Sequence, residues 1–248
     1  KLFLIFIKAP LLWFVWVYCF DAFLLAIGLV GIYMIKSGNF LLWRWKWEFA
    51  RTLMRDSWPL ILSGMIVSIY VNIDQVMIKH MIDEQALGIY AIATRISTAW
   101  YFIPIAITSS MFPAILNAKN NNSSIYHQRL QTLYDILVWM AILIAIAILC
   151  LSESIIDLLV GHEYAPAASV LSIAIIAGMF TNIGLINNKF FEAENRQKDI
   201  LYRSLMGVSV NIILNIILIK KYGIYGAALA TVAAQFSTSI VYTYLKKD

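Results

Sequence analysis

The sequence predicts an all-α fold, a polytopic membrane bundle of about seven transmembrane helices. Of its 248 residues, 61% are hydrophobic and 13% are charged, whereas an ordinary soluble domain has roughly 45–50% and about 25%. A globular protein of this length has too little interior to bury so many apolar side chains. Because one span takes about 20 apolar residues, the chain accommodates seven spans and leaves no room for a domain outside the membrane.

Seven apolar segments of sufficient length follow one another. Pro59 and Pro166 mark the beginning of two of them, since the amides of a first helical turn have no helical partner. Pro104 lies within the third segment, where it removes a backbone hydrogen bond and predicts either a hinge or a passive kink. The spans are expected at residues 12–35, 58–80, 88–115, 131–151, 166–188, 203–219 and 224–245.

The basic residues predict the topology. Most of the 19 Lys and Arg residues fall on one side of the predicted membrane, in the segments 36–55, 119–129, 189–203 and 246–247. The positive-inside rule places these segments and the carboxyl terminus in the cytoplasm, and residue 1 outside. We therefore expect further helices before residue 1. The net charge of +5 indicates contact with anionic lipid rather than nucleic acid.

The predicted domains are residues 1–57 and 58–248. The first contains one transmembrane helix and a linker in which Trp43, Trp45 and Trp47 alternate with Arg44 and Lys46. Interleaved basic and aromatic residues can bind nucleic acid, but the two neighbouring spans favour an interfacial belt on lipid headgroups. The second domain contains six helices.

Two charged residues lie inside the predicted spans. Asp74 in the second span and Arg95 in the third are both about 10 Å below the outer surface, at 1.5 Å per residue. An unpaired charge near the middle of a membrane costs about 2.5–3.5 kcal/mol. Matched depth therefore predicts either a shared water-filled cavity or an ion pair that locks two helices together.

Polar residues also follow single faces of the predicted helices. Asn72 and Gln75 follow one face of the second span and Asp74 follows another, and either face can border the cavity. Asn211 and Asn215 on the sixth span are expected to form a cavity wall. Small residues recur at every fourth position of the seventh span and predict close helix packing: Gly226, Ala230, Ala234 and Thr238.

Known catalytic motifs are absent from the sequence. It contains no phosphate-binding loop, zinc-protease motif or nucleophile elbow. The two cysteines lie in apolar runs and the three histidines are scattered, so we expect no catalytic residue, metal or cofactor.

Several motifs carry a family resemblance. They are DSWPLILSG (56–64), IYVNIDQVMI (69–78), the segment 87–115, GHEYAPA (161–167) and NIILNIILIKKYGIYGAALAT (211–231). In this order they resemble the carboxyl-terminal half of Wzx-type O-antigen and polysaccharide flippases, in the multidrug/oligosaccharidyl-lipid/polysaccharide exporter (MOP) superfamily. The resemblance implies a two-lobed transporter of twelve to fourteen helices, of which residues 58–248 are the carboxyl-terminal lobe.

The resemblance also implies a function. A flippase of this kind moves an undecaprenyl-diphosphate-linked oligosaccharide, an O-antigen or capsule repeat unit, across the bacterial inner membrane by alternating access. Its expected partners are this substrate, membrane lipids and polysaccharide polymerase or assembly proteins. We expect Arg95 to receive the diphosphate or an acidic sugar, and Asp74 to tune Arg95 or to couple transport to a cation gradient.

Other functions remain open at the level of the sequence. A cation-coupled multidrug exporter of the same superfamily is the first alternative. A membrane-embedded glycan polymerase or ligase is less favoured, because the outer loop 152–165 contains no Lys or Arg to hold a substrate. A purely structural membrane subunit is the last alternative.

Overall fold

The computed structural model describes residues 10–36, 46–121 and 123–246, and within these ranges it is helical with short turns and no strand. In chain order the helices are α1 (Leu11–Lys36), α2 (Trp47–Met81), α3 (Glu84–Thr98), α4 (Phe102–Asn121), α5 (Ser123–Leu159), α6 (Pro166–Ala193), α7 (Gln197–Tyr222), α8 (Ile224–Phe236) and α9 (Tyr242–Leu245). A 3₁₀ turn (His162–Tyr164) precedes α6, and a π-helical turn (Ser237–Val241) joins α8 to α9.

The predicted membrane bundle is confirmed. Seven helical segments of the described chain are long and apolar enough to cross a membrane. They are Val15–Lys36, Ser57–Met81, Glu84–Lys119, Ser123–Leu159, Pro166–Ala193, Gln197–Tyr222 and Ile224–Leu245. Pro166 is the first residue of α6, as its missing amide predicts.

The chain divides into two compact units, residues 1–54 and 55–248. In the first unit, α1 carries large apolar side chains on all sides and most of them are exposed, which is typical of a helix that faces lipid. Residues 37–45 of the predicted interfacial linker lie outside the described residues. Residues 47–57 of that linker are helical and continuous with the second span.

The third span is interrupted by a turn at residues 99–101, just before Pro104. Proline has no amide hydrogen and cannot bond to the carbonyl of residue 100, four positions earlier. The Trp100 carbonyl instead accepts the amide of Ile103 at 3.0 Å, and α4 begins at Phe102. The regular helix is therefore interrupted a few residues before the proline, and the hinge or kink at Pro104 stays a prediction.

In the second unit, α6 packs along α3, α5 and α8, and α7 packs along α8. The small residues of the last span allow this close approach, as predicted. A Cβ atom added at Gly226 would lie 2.1 Å from the carbonyl oxygen of Leu218, and one added at Gly207 would lie 2.6 Å from Thr238 Cγ2. Buried apolar side chains, including Ile78, Val170 and Ala227, hold α2, α6 and α8 together near the candidate site.

Candidate functional site

Asp74 is a buried carboxylate that connects four helices. Only 4% of its surface is exposed. Its Oδ1 atom accepts a hydrogen bond from Asn215 Nδ2 on α7 at 2.6 Å. Its Oδ2 atom accepts one from the Tyr90 hydroxyl on α3 at 2.9 Å and one from Thr231 Oγ1 on α8 at 2.6 Å. These donors replace the water that a carboxylate loses on burial.

A second layer of polar groups stands behind this carboxylate. Asn215 Nδ2 is also 3.1 Å from Asn211 Oδ1, and Asn211 Nδ2 is 3.5 Å from Thr231 Oγ1. The Asn215 Oδ1 atom is buried and has no hydrogen-bond partner within the described part of the chain. A buried acceptor without a donor is uncommon, because it costs about 1–3 kcal/mol.

This cluster is built around one carboxylate, the group that a proton or a cation would bind. Asp74 accepts hydrogen bonds from one amide nitrogen and two hydroxyl groups, and Asn211 Oδ1 accepts from Asn215 Nδ2. Among the described residues, no three or more His, Cys, Asp or Glu side chains cluster in a way that could hold a metal ion. The cluster therefore lacks the nitrogen and sulfur ligands of a zinc site.

A cavity of about 470 Å³ opens beside Asp74, between α2, α3, α6 and α8. We call it the central cavity. Most of the polar side chains in its walls carry hydroxyl groups, and they include Tyr90, Thr94, Ser97, Thr98, Thr181 and Thr231. Alanines of α6 and α8 provide apolar surface between them.

Four hydroxyl groups in the walls of the central cavity form hydrogen bonds of the same kind. Thr94, Ser97, Thr98 and Thr181 each donate to a carbonyl oxygen of their own helix, at distances of 2.9–3.0 Å. A hydroxyl that donates to its own backbone still has lone pairs that can accept a hydrogen bond. The cavity wall is therefore rich in acceptors and suits a ligand that carries O–H groups.

Asp74 and Arg95 both line the central cavity, and within the described chain they form no ion pair. The acceptor positions of Asp74 are filled by neutral donors, whereas the Arg95 side chain is exposed. Of the two arrangements that the sequence allows, the structure has the shared cavity rather than the locking ion pair. The roles of both residues in binding and coupling stay predictions.

Of the other predicted site residues, some line the central cavity and others do not. Gln75 lines the central cavity. Asn72 does not, because its side chain is exposed and its Nδ2 atom donates to the Ser68 carbonyl of its own helix at 2.8 Å. Asn211 and Asn215, expected as a cavity wall, have no exposed surface and reach the site only through Asp74 and Thr231.

Tyr90 and Thr231 were not among the predicted site residues, although both bond directly to Asp74. The sequence contains a spacing pattern that indicates each of them. Tyr90, Thr94 and Thr98 recur at every fourth position of the third span, and residues four apart share one face of a helix. Residues 227, 231 and 235 do the same on the last span, beside the small-residue stripe.

A separate polar cluster joins the ends of α4, α5 and α6. Lys119 Nζ lies 2.9 Å from Glu194 Oε2 and 2.5 Å from the Ala193 carbonyl oxygen, and the Tyr126 hydroxyl donates to Glu194 Oε1 at 2.7 Å. Partial burial raises the pKa of the Glu194 carboxyl. The hydrogen bonds from Tyr126 and Lys119, with the charges of Lys119 and Arg196, outweigh burial and hold this pKa below its ordinary value.

Comparison with known proteins agrees with this architecture. A sequence profile described as MatE matches residues 59–217, which is more than half of the chain. The chain is 26% identical over 196 residues to the probable low-salt glycan biosynthesis flippase Agl15 of Haloferax volcanii, covering 77% of this chain and 41% of Agl15. It is 24% identical over 238 residues to the probable flippase AglR of the same organism, covering 88% of this chain and 46% of AglR.

A solved structure shares the fold. It is an outward-facing multidrug resistance MATE family transporter of the MOP superfamily, with a TM-score of 0.65 and 17% sequence identity, and the match covers 77% of this chain and 43% of that one. The chain thus spans less than half the length of each of these proteins. The matched profile shows that the chain belongs to the MatE family, and the seven spans and the shared fold agree with it.

Proposed function

We propose that the chain serves as the carboxyl-terminal lobe, with one preceding helix, of a flippase for lipid-linked glycans. The proposed substrate is an undecaprenyl-diphosphate-linked oligosaccharide, such as an O-antigen or capsule repeat unit. The protein moves it from the inner to the outer leaflet of a bacterial inner membrane, with the carboxyl terminus in the cytoplasm, and performs no covalent chemistry. The name of Agl15, a glycan biosynthesis flippase, supports a glycan substrate, and the name of AglR supports flippase activity.

The observation that carries the proposal is the composition of the central cavity. Its hydroxyl oxygens can accept hydrogen bonds from sugar hydroxyls. The exposed Arg95 guanidinium on the same wall can donate two parallel hydrogen bonds to a phosphate. The polyprenyl tail remains in lipid, so only the head of the substrate needs this polar space.

Asp74 is the proposed coupling residue. Its hydrogen-bond donors lie on α3, α7 and α8, so a proton or a small cation at Asp74 changes the contacts of three helices at once. Asn211 and Asn215 act as positioning residues for this carboxylate. The turn before Pro104, between α3 and α4, is the proposed hinge for the resulting motion.

The flippase also needs partners. Its product reaches the outer leaflet, where polysaccharide polymerase or assembly proteins would consume it, and we propose contacts with such proteins on that side. Membrane lipids surround the apolar outer faces of the helices.

Charge reversal of Arg95 tests the proposal. In cells that depend on the full-length protein, Arg95→Glu should abolish surface polysaccharide, because a carboxylate repels the diphosphate, whereas Arg95→Lys should retain part of it. Lys220→Glu is the matched control, since it reverses an exposed charge at the end of α7 outside the central cavity. Immunoblotting must show equal protein levels. Normal surface polysaccharide in Arg95→Glu cells would leave Arg95 without a role in binding.

A cation-coupled multidrug exporter is the second candidate. The apolar part of the central cavity, formed by Val67, Ala174, Ala177 and Ala228, favours it because hydrophobic drugs need such surface. A deletion strain separates the two functions. Increased drug susceptibility with normal surface polysaccharide would establish the exporter, and the reverse phenotype would establish the flippase.

A further inference from the structure

A second cavity lies between the beginning of the second span, on α2, and the connection from α6 to α7. Its volume is about 470 Å³, within the range of about 300–1,000 Å³ for ligand pockets. We call it the interfacial cavity, and its lining residues are Arg55, Trp58, Pro59, Asn195, Gln197 and Lys198. It shares no lining residue with the central cavity, so it is a site separate from the proposed transport site.

The interfacial cavity lies at the depth of lipid headgroups. Two spans begin there, at Ser57 and at Gln197, and both beginnings contribute lining residues. The residues just before and within the first turn of a span stand at the boundary between hydrocarbon and headgroups. Trp58, with 43% of its surface exposed, is a residue type enriched at that boundary.

Two basic side chains face the cavity. Arg55 and Lys198 line it, and no carboxylate is among the lining residues that the structure describes. Two carboxylates near the α6–α7 connection are paired with other basic residues, because Glu192 lies 2.6 Å from Lys189 and Asp199 lies 2.7 Å from Arg196. The described lining therefore offers two cationic groups to a ligand.

The polar groups of the cavity are matched to a phosphate. The Arg55 guanidinium and the Lys198 ammonium are donors only, and so is the indole N–H of Trp58. The side-chain amides of Asn195 and Gln197 each provide an N–H₂ group. A phosphate offers several acceptor oxygens and a negative charge to such a set of donors.

The α6–α7 connection holds its residues in place through its backbone. Asn195 has a φ of 57°, in the left-handed region that asparagine tolerates better than most residues. The amide of Arg196 then donates to the Phe191 carbonyl at 2.8 Å and closes the end of α6. Gln197 and Lys198 follow directly as the first residues of α7.

We propose that the interfacial cavity binds the phosphate group of a lipid, with Arg55 and Lys198 as its cationic contacts. An anionic phospholipid and a polyprenyl diphosphate share this chemistry. The site lies on the side that the basic residues assign to the cytoplasm, where either lipid presents its phosphate at the level of Trp58.

Binding of short-chain lipids to the full chain in neutral detergent tests the proposal. The probes are dioctanoyl phosphatidylglycerol, dioctanoyl phosphatidylcholine and farnesyl diphosphate, measured by native mass spectrometry or thermophoresis. We expect at least one anionic probe to bind tenfold or more tightly than phosphatidylcholine. The preferred anionic probe identifies the source of the phosphate.

Two double variants of equal net charge locate the site. Arg55→Ala with Lys198→Ala should weaken binding of the anionic probe about 25-fold, since each basic residue near an anionic headgroup contributes about fivefold. Lys220→Ala with Lys221→Ala removes two charges from the other end of α7, and should change binding less than about twofold. Equal losses in both double variants, or no loss in the first, would overturn the proposal.

Single variants keep the test decisive if the first double variant does not fold. Arg55→Gln and Lys198→Gln each remove one charge. Each should weaken binding of the anionic probe about fivefold, while the melting temperature of the protein without lipid stays unchanged. Asn195→Gly preserves the left-handed backbone and removes one amide, so a smaller loss is expected. Equal binding of phosphatidylcholine and both anionic probes to the wild-type chain would also refute the assignment.

Discussion

Replacing Thr231 by valine is expected to destabilise the fold by about 1.5–3 kcal/mol, which is typical for the loss of a hydrogen bond to a buried charged group. The Thr231 hydroxyl donates to Asp74 Oδ2 at 2.6 Å, and Asp74 is almost fully buried. Valine keeps the shape and the β-branch of threonine but cannot donate. In the variant, Oδ2 retains only the Tyr90 hydroxyl.

A double-mutant cycle measures whether this contact involves a charge. The full chain is unfolded in detergent, and the free energy of unfolding is compared among wild type, Thr231→Val, Asp74→Asn and the double variant. If Asp74 is ionised, Thr231→Val should cost markedly less when Asp74→Asn is already present, because bonds between neutral groups contribute about 0.5–1.5 kcal/mol. The difference between the two backgrounds is the coupling energy.

Thr238→Val is the matched control for this cycle. Thr238 lies in the same span and is buried, but its hydroxyl donates to the Gln235 carbonyl of its own helix at 3.0 Å. We expect a cost below about 1.5 kcal/mol and no coupling to Asp74. If Thr231→Val costs no more than Thr238→Val, the hydroxyl of Thr231 does not support a charged carboxylate, and the proposed coupling role of Asp74 loses its basis.

Two further predictions concern helix packing and the Glu194 cluster. Gly226→Ala should destabilise the chain by about 1–3 kcal/mol, because its Cβ would meet a backbone carbonyl; Gly64→Ala, with nothing within 4 Å, should be neutral or stabilising in the same unfolding assay. Glu194→Gln should cost about 1 kcal/mol near pH 7, because charge-assisted hydrogen bonds become neutral ones. Since the folded-state pKa of Glu194 is lowered, its stabilisation is present above the ordinary value of 4.5 and disappears as the pH falls through the lowered pKa. A difference between wild type and Glu194→Gln that persists at the lowest pH would contradict this assignment.

Composition and apolar segment length were sufficient to predict the fold class and all seven spans, because a lipid-facing helix must present apolar side chains over its whole length. The ends of the helices were less predictable. Helix α5 begins at Ser123 and ends at Leu159, well beyond the predicted span 131–151. Polar residues outside the hydrocarbon can continue a helix, so hydropathy locates the membrane rather than the helix ends.

The sequence predicted the depth of the site residues in the membrane, but not the side of the helix that faces the cavity. Counting residues from the helix ends placed Asp74 and Arg95 at one level, and both line the central cavity. The rotation of each helix about its own axis depends on packing with several neighbours, which one sequence does not specify. For this reason Asn72 and Asn211 were predicted in the cavity wall, although one is exposed and the other completely buried.

In residues 55–248, whether a polar side chain is buried depends on the hydrogen-bond partners that it finds. Asn215 and Asn211 are buried because Asp74, Thr231 and their contact with each other supply partners for three of their four side-chain polar atoms. Asn72 satisfies its Nδ2 atom on its own helix and therefore does not need to pack against another one. Arg95 has a flexible stem and five donors that no single neighbour can satisfy, which makes a wet cavity the favourable place for it. We therefore expect the head of a polar substrate to complete the hydrogen bonding of Arg95.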